Sequence, residues 1–531
     1  MISQTARRQY GWAVGLLGAV AVAVFIPTIS YDFLPLDDDV NIVFNPHHGP
    51  PGLGRLAWEF GDLAYVRRYL PLGWLAFSTV STFSQLAPWG YHAANILLHA
   101  TNAMLLAWLL RRLLAGWRPA VAAAHPGWVD LAALFAAAWW ALHPLRVEQV
   151  AWCSALPSHL AMTFLLGALL AHTSARPAGR RAAIGLFAGA LLSYPVTLGA
   201  VIFFPALDRA RSGKKIFRRA LPFLVLTLLA GAVNLYARMV ASGEQAAPAT
   251  LVEFPPAQRL AQAVCVWAHY LWRPWWPFGL SPVYRDFLHL DPAGFRVIGS
   301  AALLVAAVFL AGRSTGRWLL LTSYAVVVFP FTGFTESPHF PHDRYAALPG
   351  LVMAAALGLG MLRLLSRSGL LAGTGLLAGL AVLSLRQLPI WQNQATILQE
   401  IRSRLDPGDV PAIRDLRPAL WLYRSGDYTG AFKLLDHEIK ARGWVPALTG
   451  LRQELAAEFV RHRRLAESLG LTVQDLPPVA LMHQDLAREY LRAGEPEPAA
   501  WHLAEIRRLA PAYYARLTTP AAGPPADRIR R

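Results

Sequence analysis

Runs of about 20 apolar residues recur along this 531-residue chain, and arginine-rich stretches follow every second one. A run of that length is what one helix needs to cross the hydrocarbon core of a bilayer, and a helix satisfies its own backbone there. The pattern predicts an all-α, polytopic membrane protein. Candidate spans are 11–30, 91–110, 129–144, 158–172, 182–194, 195–207, 219–238, 294–312, 317–332, 345–362 and 369–388, about 11 in all. Composition agrees, with 55% hydrophobic and only 15% charged residues. Cys153 and Cys265 offer no disulfide framework and no metal-ligand spacing.

The net charge of +17 would suggest a nucleic-acid partner in a soluble protein. Here the basic residues fall in alternate loops, as the positive-inside rule requires. With the N-terminus inside, the inner loops hold Arg7 and Arg8; Arg111, Arg112 and Arg118; Arg176, Arg180 and Arg181; Arg209, Arg211, Lys214, Lys215, Arg218 and Arg219; Arg313 and Arg317; Arg363 and Arg367. Asp208 is the acid among them. Two stretches resist the pattern. "LLSYPVTLGAVIFFP" is short for two spans, with Pro195 at the turn. "RLAQAVCVWAHYLWRPWWPFG" (residues 259–279) is apolar and Trp-rich; it reads as an interfacial or re-entrant helix, because crossing would put the following arginine loops outside.

Unusual polar residues collect on the outer side. Asp37, Asp38 and Asp39 follow the first span. "ALHPLRVEQVAW" (His143, Arg146, Glu148), "SPVYRDF" (Tyr284, Arg285, Asp286) and "FTESPHFPHDRYAALP" (Glu336, His339, His342, Asp343, Arg344, Tyr345) follow later ones. Such a distribution fits a reaction site at the membrane–water interface. Plainer readings stand beside it. Acids are tolerated just outside a span. His143-Pro144 reads equally as a helix stop, and Asp343-Arg344 as a local ion pair at a helix start. His99 and Asn102, inside the second span, read as bonds to a neighbouring helix. In the first outer loop (31–90), "GLGRLAWEFG" and "RRYLPLGWLAFSTVSTFSQLAPWG" read as surface-lying helices.

From about residue 391 the chain turns polar and helical. Tyr490, Gly494, Ala499 and Pro511 fall where a tetratricopeptide repeat wants them, and Gly426 and Ala431 repeat the spacing less fully. The domains expected are thus a membrane domain at 1–390, a repeat-like helical domain at 391–515 and a disordered tail at 516–531.

The chain resembles the membrane-embedded GT-C glycosyltransferases, and within them bacterial relatives of the transmembrane tetratricopeptide-repeat protein O-mannosyltransferases. The motifs that carry the resemblance are "DDDVNIVFNP", "RYLPLGWLAF", "GYHAANILLHATNAMLL", "ALHPLRVEQVAW" and "HDRYAALP", in that order, with "IWQNQATIL" leading into the repeats. It implies transfer of a sugar from a polyprenyl-phosphate donor to an acceptor hydroxyl, a protein Ser or Thr, at the outer face. It also implies that Asp37 or Asp38 is the base, with Asp39 in a variable position. A hydroxyl nucleophile needs a proton acceptor within reach, and crowded acids make one of them more basic. Glu148 would be the second carboxylate. Arg344, Arg285 and His143 would serve the donor phosphate, with Asp343 and Tyr345 supporting. Trp272, Trp275 and Trp276 would border the prenyl chain or sit in an interfacial belt. No cofactor is required; a divalent metal is left open. The implied setting is a bacterial inner membrane, with the N-terminus cytoplasmic and the C-terminal domain periplasmic.

The chain also departs from that pattern. Where the family carries an Arg and then an acid after Val-Ala-Trp, this sequence has Leu156 and Ser158. Another arginine, such as Arg146 or Arg68, would have to substitute. The alternative reading is a catalytically degenerate membrane scaffold whose repeat-like domain binds partner proteins. A transporter ranks last, because charge gathers at one face without inverted repeats.

Overall fold

A computed structural model describes residues 4–34, 36–43, 45, 47–63, 65–174, 176–211, 216–240, 255–287, 290–333, 341–364, 367–404, 423, 428–433, 435, 446–492 and 496–518. Every regular element among them is helical. The chain forms two compact units. Unit A holds residues up to 32, 57–76 and 88–404; unit B holds 33–56, 77–87 and 405 onward. Two pieces of the first loop thus belong with the C-terminal helices, and the boundary expected near 390 falls at 404. Of the residues singled out in the sequence, Glu336, His339, Gly426 and Gly494 lie outside the described residues, as does most of the expected tail; the helix Pro511–Thr518 reaches into its first residues.

In unit A, six helices are long and apolar enough to cross a membrane: Gln4–Ser30, Pro88–Trp117, Cys153–His172, Ile216–Val240, Asp343–Arg363 and Leu371–Trp391. A seventh span results if Pro126–Leu142 and Pro144–Ala151, bent by 57° at their junction, are counted together. Phe295–Ala311 and Thr315–Phe331 are apolar but shorter. Large apolar side chains face outward along these helices, among them Leu16, Leu97, Leu228, Phe309 and Leu371, each more than 60% exposed. Water would not tolerate so much exposed hydrocarbon on one molecule, and a bilayer would solvate it.

The stretch 195–207 is no single α-helical span. Residues Pro195–Ile202 form a 3-10 helix and Phe203–Arg211 an α-helix. Gly199 is the reason the chain can lie so close to its neighbour: a Cβ there would stand 2.8 Å from the Val326 carbonyl oxygen and 3.0 Å from the Val327 Cα. Both are backbone atoms and cannot swing away. Gly199→Ala should therefore destabilise unit A by about 1–3 kcal/mol, as overpacked sites do; a thermal melt in detergent that matches the parent protein would refute the close-approach argument.

The Trp-rich stretch forms the helix Pro256–Trp272, which is not among the spanning candidates. It is fastened to the helix Thr315–Val328 by Trp267 Nε1 donating to the Ala325 carbonyl (3.0 Å) and by the Tyr324 hydroxyl donating to the Trp267 carbonyl. The two first-loop stretches are helical too, at Leu53–Gly61 and Pro71–Ser84.

In unit B, the helices Pro446–Ser468, Pro478–Arg492, Pro496–Leu509 and Pro511–Thr518 enclose a core of Ala466, Leu476, Ala480, Ile506, Ala510 and Tyr513. Ala487 and Ala499 are fully buried; such small side chains allow two helices to approach closely. Three histidines lie beside this core. His483 Nδ1 is 2.8 Å from His502 Nδ1, the Tyr490 ring stacks on His502, and Trp501 meets the ring of His48 edge-on.

Candidate functional site

The site grows from one break in a helix. Pro144 disfavours a helical conformation at the residue before it, and His143 adopts extended angles (φ −69°, ψ 135°), so the helix stops at Leu142. A 3-10 turn at Pro144–Arg146, a short helix at Val147–Ala151 and a second turn at Cys153–Ala155 follow. Irregular backbone among apolar helices needs partners for its carbonyls, and polar side chains of the neighbouring helices supply them. His99 Nε2 lies 2.9 Å from the Ala141 carbonyl oxygen, and Ser384 donates to that of Leu142 (2.8 Å). His159 Nε2 lies 3.1 Å from the Gln149 oxygen, and Asn95 donates to Trp152 (2.8 Å). Asn102 donates to the His159 carbonyl and accepts from Thr163. His99 and Asn102 therefore have the bracing role their place in a span suggests.

His143 is buried, and both ring nitrogens have backbone neighbours. Nδ1 accepts from the Leu145 N–H (3.1 Å), which leaves Nε2 as the protonated nitrogen, donating to the Pro274 carbonyl (2.9 Å). The ring thus ties the helix break to the Arg273–Trp275 turn. It acts as helix stop and brace together.

Glu148 and Asp343 are each 1% exposed. Arg344 grips Glu148 twice, through its backbone N–H (3.1 Å) and its guanidinium, and His342 Nδ1 stands 3.8 Å from the same carboxylate. The Arg344 guanidinium lies over the rings of Trp152 and Tyr345, 4.7 Å from each. Asp343 does not pair with Arg344, so the local ion pair is not formed. Its carboxylate accepts from the Tyr284 hydroxyl at 2.7 Å. Burial, then the charge of Asp343, pushes the Tyr284 phenol well above its ordinary range, so it stays a donor. Tyr270 accepts from the His342 N–H and donates to the His342 carbonyl, which fixes the approach to Asp343. The Tyr345 ring stacks on Phe331.

Two further arginines complete the cluster. Arg273 donates to the Gly279 carbonyl (2.6 Å) and lies 5.4 Å from the Tyr284 ring centre. Arg146 is 2% exposed, lies over the Trp140 ring (5.4 Å) and acts electrostatically on Asp343. Its Nε and Nη1 are buried and have no hydrogen-bond partner among the described residues. Among the described residues, three guanidinium groups thus face two carboxylates in one buried cluster. Arg273 and Tyr284 also line a cavity of about 630 Å³ with Arg285, Phe278, Phe287 and Leu303, and with Arg296 and Asp286, which pair with each other at 2.6 Å. Trp272, Trp275 and Trp276 are all partly or largely exposed.

Among the residues singled out in the sequence, the structure brings Glu148, Asp343, Arg344, Tyr345 and His143 together and puts Arg285 at the adjoining cavity. Asp37, Asp38 and Asp39 belong to unit B. Asp38 is fully buried and accepts from the Leu34 N–H (2.8 Å), and Asp39 is buried. Asp37 sits at φ 85°, a left-handed conformation that is costly for a residue with a Cβ. Tyr284, also singled out in the sequence, joins the cluster, and Arg273 and Tyr270 emerge as further members; an arginine amid "LWRPWWPFG" was the available signal for the first of these. Arg68 lies 5.9 Å from the Tyr194 ring centre. Leu156 is buried at the first turn of the helix Leu156–His172, and Ser158 accepts from Gln149 (3.2 Å). No group of three or more His, Cys, Asp or Glu side chains with metal-holding geometry occurs among the described residues. No family model, curated protein or solved structure matches the chain.

Proposed function

We propose that this chain is a membrane glycosyltransferase that takes a sugar from a polyprenyl-phosphate donor and passes it to an acceptor hydroxyl. The observation that carries the reading is Arg146: a buried guanidinium that acts on Asp343, with two nitrogens unpartnered among the described residues, in a cluster whose described residues hold one cation too many. A donor phosphate supplies the missing negative charge, and charge-assisted hydrogen bonds to arginine are among the strongest available. The neighbouring cavity, lined by Arg273 and Arg285 as well as by Phe278, Phe287 and Leu303, suits a phosphate that carries a hydrocarbon chain.

In the reaction, the acceptor oxygen forms a bond to the anomeric carbon while its proton passes to a carboxylate. The bond from that carbon to the phosphate oxygen breaks, and the lipid phosphate leaves with the electron pair. Arginines near the phosphate stabilise the charge that develops there. The base is assigned to Asp37 or Asp38 by their motif, and the backbone conformation of Asp37 is of the kind that collects at functional sites. In the same reading the bent pair, the two shorter apolar helices, the helix Pro177–Ser193 and the broken stretch 195–211 also cross, which gives eleven spans. The helices of unit B form a tetratricopeptide-like module outside a bacterial inner membrane, and the acceptor is a protein Ser or Thr.

The test is transfer by the purified chain in liposomes, from polyprenyl-phosphate hexoses to a Ser/Thr peptide. Arg146→Gln and Asp37→Asn with Asp38→Asn should each lower the rate about 100-fold or more, the scale of losing a charge stabiliser or a base. Unchanged transfer in either would end this assignment. One observation favours the scaffold reading: Leu156 fills, with buried hydrocarbon, the position where the family pattern wants an arginine. Folded protein that transfers no sugar but retains partner proteins through unit B would decide for it.

A further inference from the structure

At the opposite end of the unit A helices from Glu148, a second cavity of about 500 Å³ opens. Its walls come from segments far apart in sequence: the last turns of Pro88–Trp117, the helix Phe203–Arg211, the start of Thr315–Val328 and the middle of Ala347–Leu364. Leu106, Leu110, Leu169, Leu319, Leu351 and Leu359 make the lining apolar, while Arg118 and Arg209 stand at its polar margin. Both arginines are exposed, and neither pairs with a carboxylate among the described residues. The acid next to Arg209 does not neutralise it: Asp208 is buried, 3.3 Å from His172 Nε2 and 3.7 Å from Arg219 Nη1.

We propose that this cavity binds an anionic phospholipid, with one acyl chain between the leucines and the phosphate held by Arg118 and Arg209. The two parts of the site select the ligand jointly. The leucine walls offer nothing to a free phosphate and a good deal to a hydrocarbon chain. The paired cations, with the neighbouring acid already engaged, favour a headgroup of net negative charge over a zwitterionic one. Basic pockets between membrane helices are a recognised form of lipid site. The site is separate from the Glu148–Arg344 cluster and stands whether or not that cluster transfers sugar.

Native mass spectrometry of the full chain in detergent, titrated with dioleoyl-phosphatidylglycerol or dioleoyl-phosphatidylcholine, tests the assignment. Phosphatidylglycerol should bind in preference, and Arg118→Gln with Arg209→Gln should weaken it roughly 30-fold while leaving phosphatidylcholine unchanged. Both arginines are exposed, so the double variant should fold; a thermal melt checks this. Ala355→Phe, which fills the cavity and leaves both arginines in place, should displace the lipid too. Equal binding of the two lipids overturns the proposal, as does undiminished phosphatidylglycerol binding in either variant. So do displacement by millimolar glycerol phosphate and preferential uptake of a polyprenyl phosphate.

Discussion

Arg344→Met should lower the stability of unit A by about 3–5 kcal/mol, the usual result of stripping one partner from a buried ion pair. Glu148 is 1% exposed and takes both the backbone N–H and the guanidinium of Arg344. Without the guanidinium its charge remains buried, held by one N–H with the His342 ring 3.8 Å away. Glu148→Gln should cost less, because an amide oxygen still accepts from that N–H. The double variant is the informative one. With both charges gone, most of the loss should be recovered, since replacing both members of a buried pair is often close to neutral. A double-mutant cycle from unfolding in mixed detergent micelles reads the coupling. A loss below about 1 kcal/mol for Arg344→Met would mean that the pair does not hold the segment together.

Acid should loosen unit B. Burial is the first cause that holds His483 down to about 4, His48 to about 3 and His502 to about 2. The cations around them act in the same direction: Arg508 on His483, Arg55 on His48, and His483, Arg55, His48 and His47 on His502. Glu505 is the nearby acid, and Arg508 already engages it at 2.9 Å. The sign follows from linkage. The unfolded chain protonates these rings from about pH 6.5, while the folded chain keeps them neutral to far lower pH. Stability is therefore whole above pH 6.5 and falls as pH drops toward the folded values. Between pH 6.5 and 5 each ring accounts for a loss of about 2 kcal/mol, so the three together give at most about 6. The Nδ1 atoms of His483 and His502 share one proton across 2.8 Å; a second would set two N–H groups against each other. Hydrogen exchange in Pro478–Arg492 and Pro496–Leu509 should speed up across this range, and less so in His502→Gln. Constant protection from pH 7 to 5 would refute the account.

The parts of the site that lie within a few residues of each other were legible in the sequence. Pro144 ends a helix for steric reasons that act on its immediate neighbour, so His143 and the turn after it followed from local chemistry. Which groups would meet was not legible. Glu148 and Arg344 are 196 residues apart, and Tyr284 and Asp343 are 59 apart. Nothing in "HDRYAALP" says that two adjacent charges will turn to different partners. The 3-10 course of Pro195–Ile202 was hidden for a similar reason, because it depends on a backbone approach at Gly199 that only the packed helices create. That Arg118 and Arg209, 91 positions apart in the chain, line one cavity was likewise set by packing.

The segment from Ala141 to Trp152 hangs by its carbonyl oxygens from His99, Asn95, His159 and Ser384, on three separate helices. It has none of the freedom usual for a stretch of broken helix. Its shape is a readout of how those helices stand beside one another. A shift of one helix along its neighbour would be passed through a single hydrogen bond to the turn that carries Glu148. Lateral pressure on the helices, set by the thickness and composition of the surrounding bilayer, thereby acquires a mechanical route to the charged cluster.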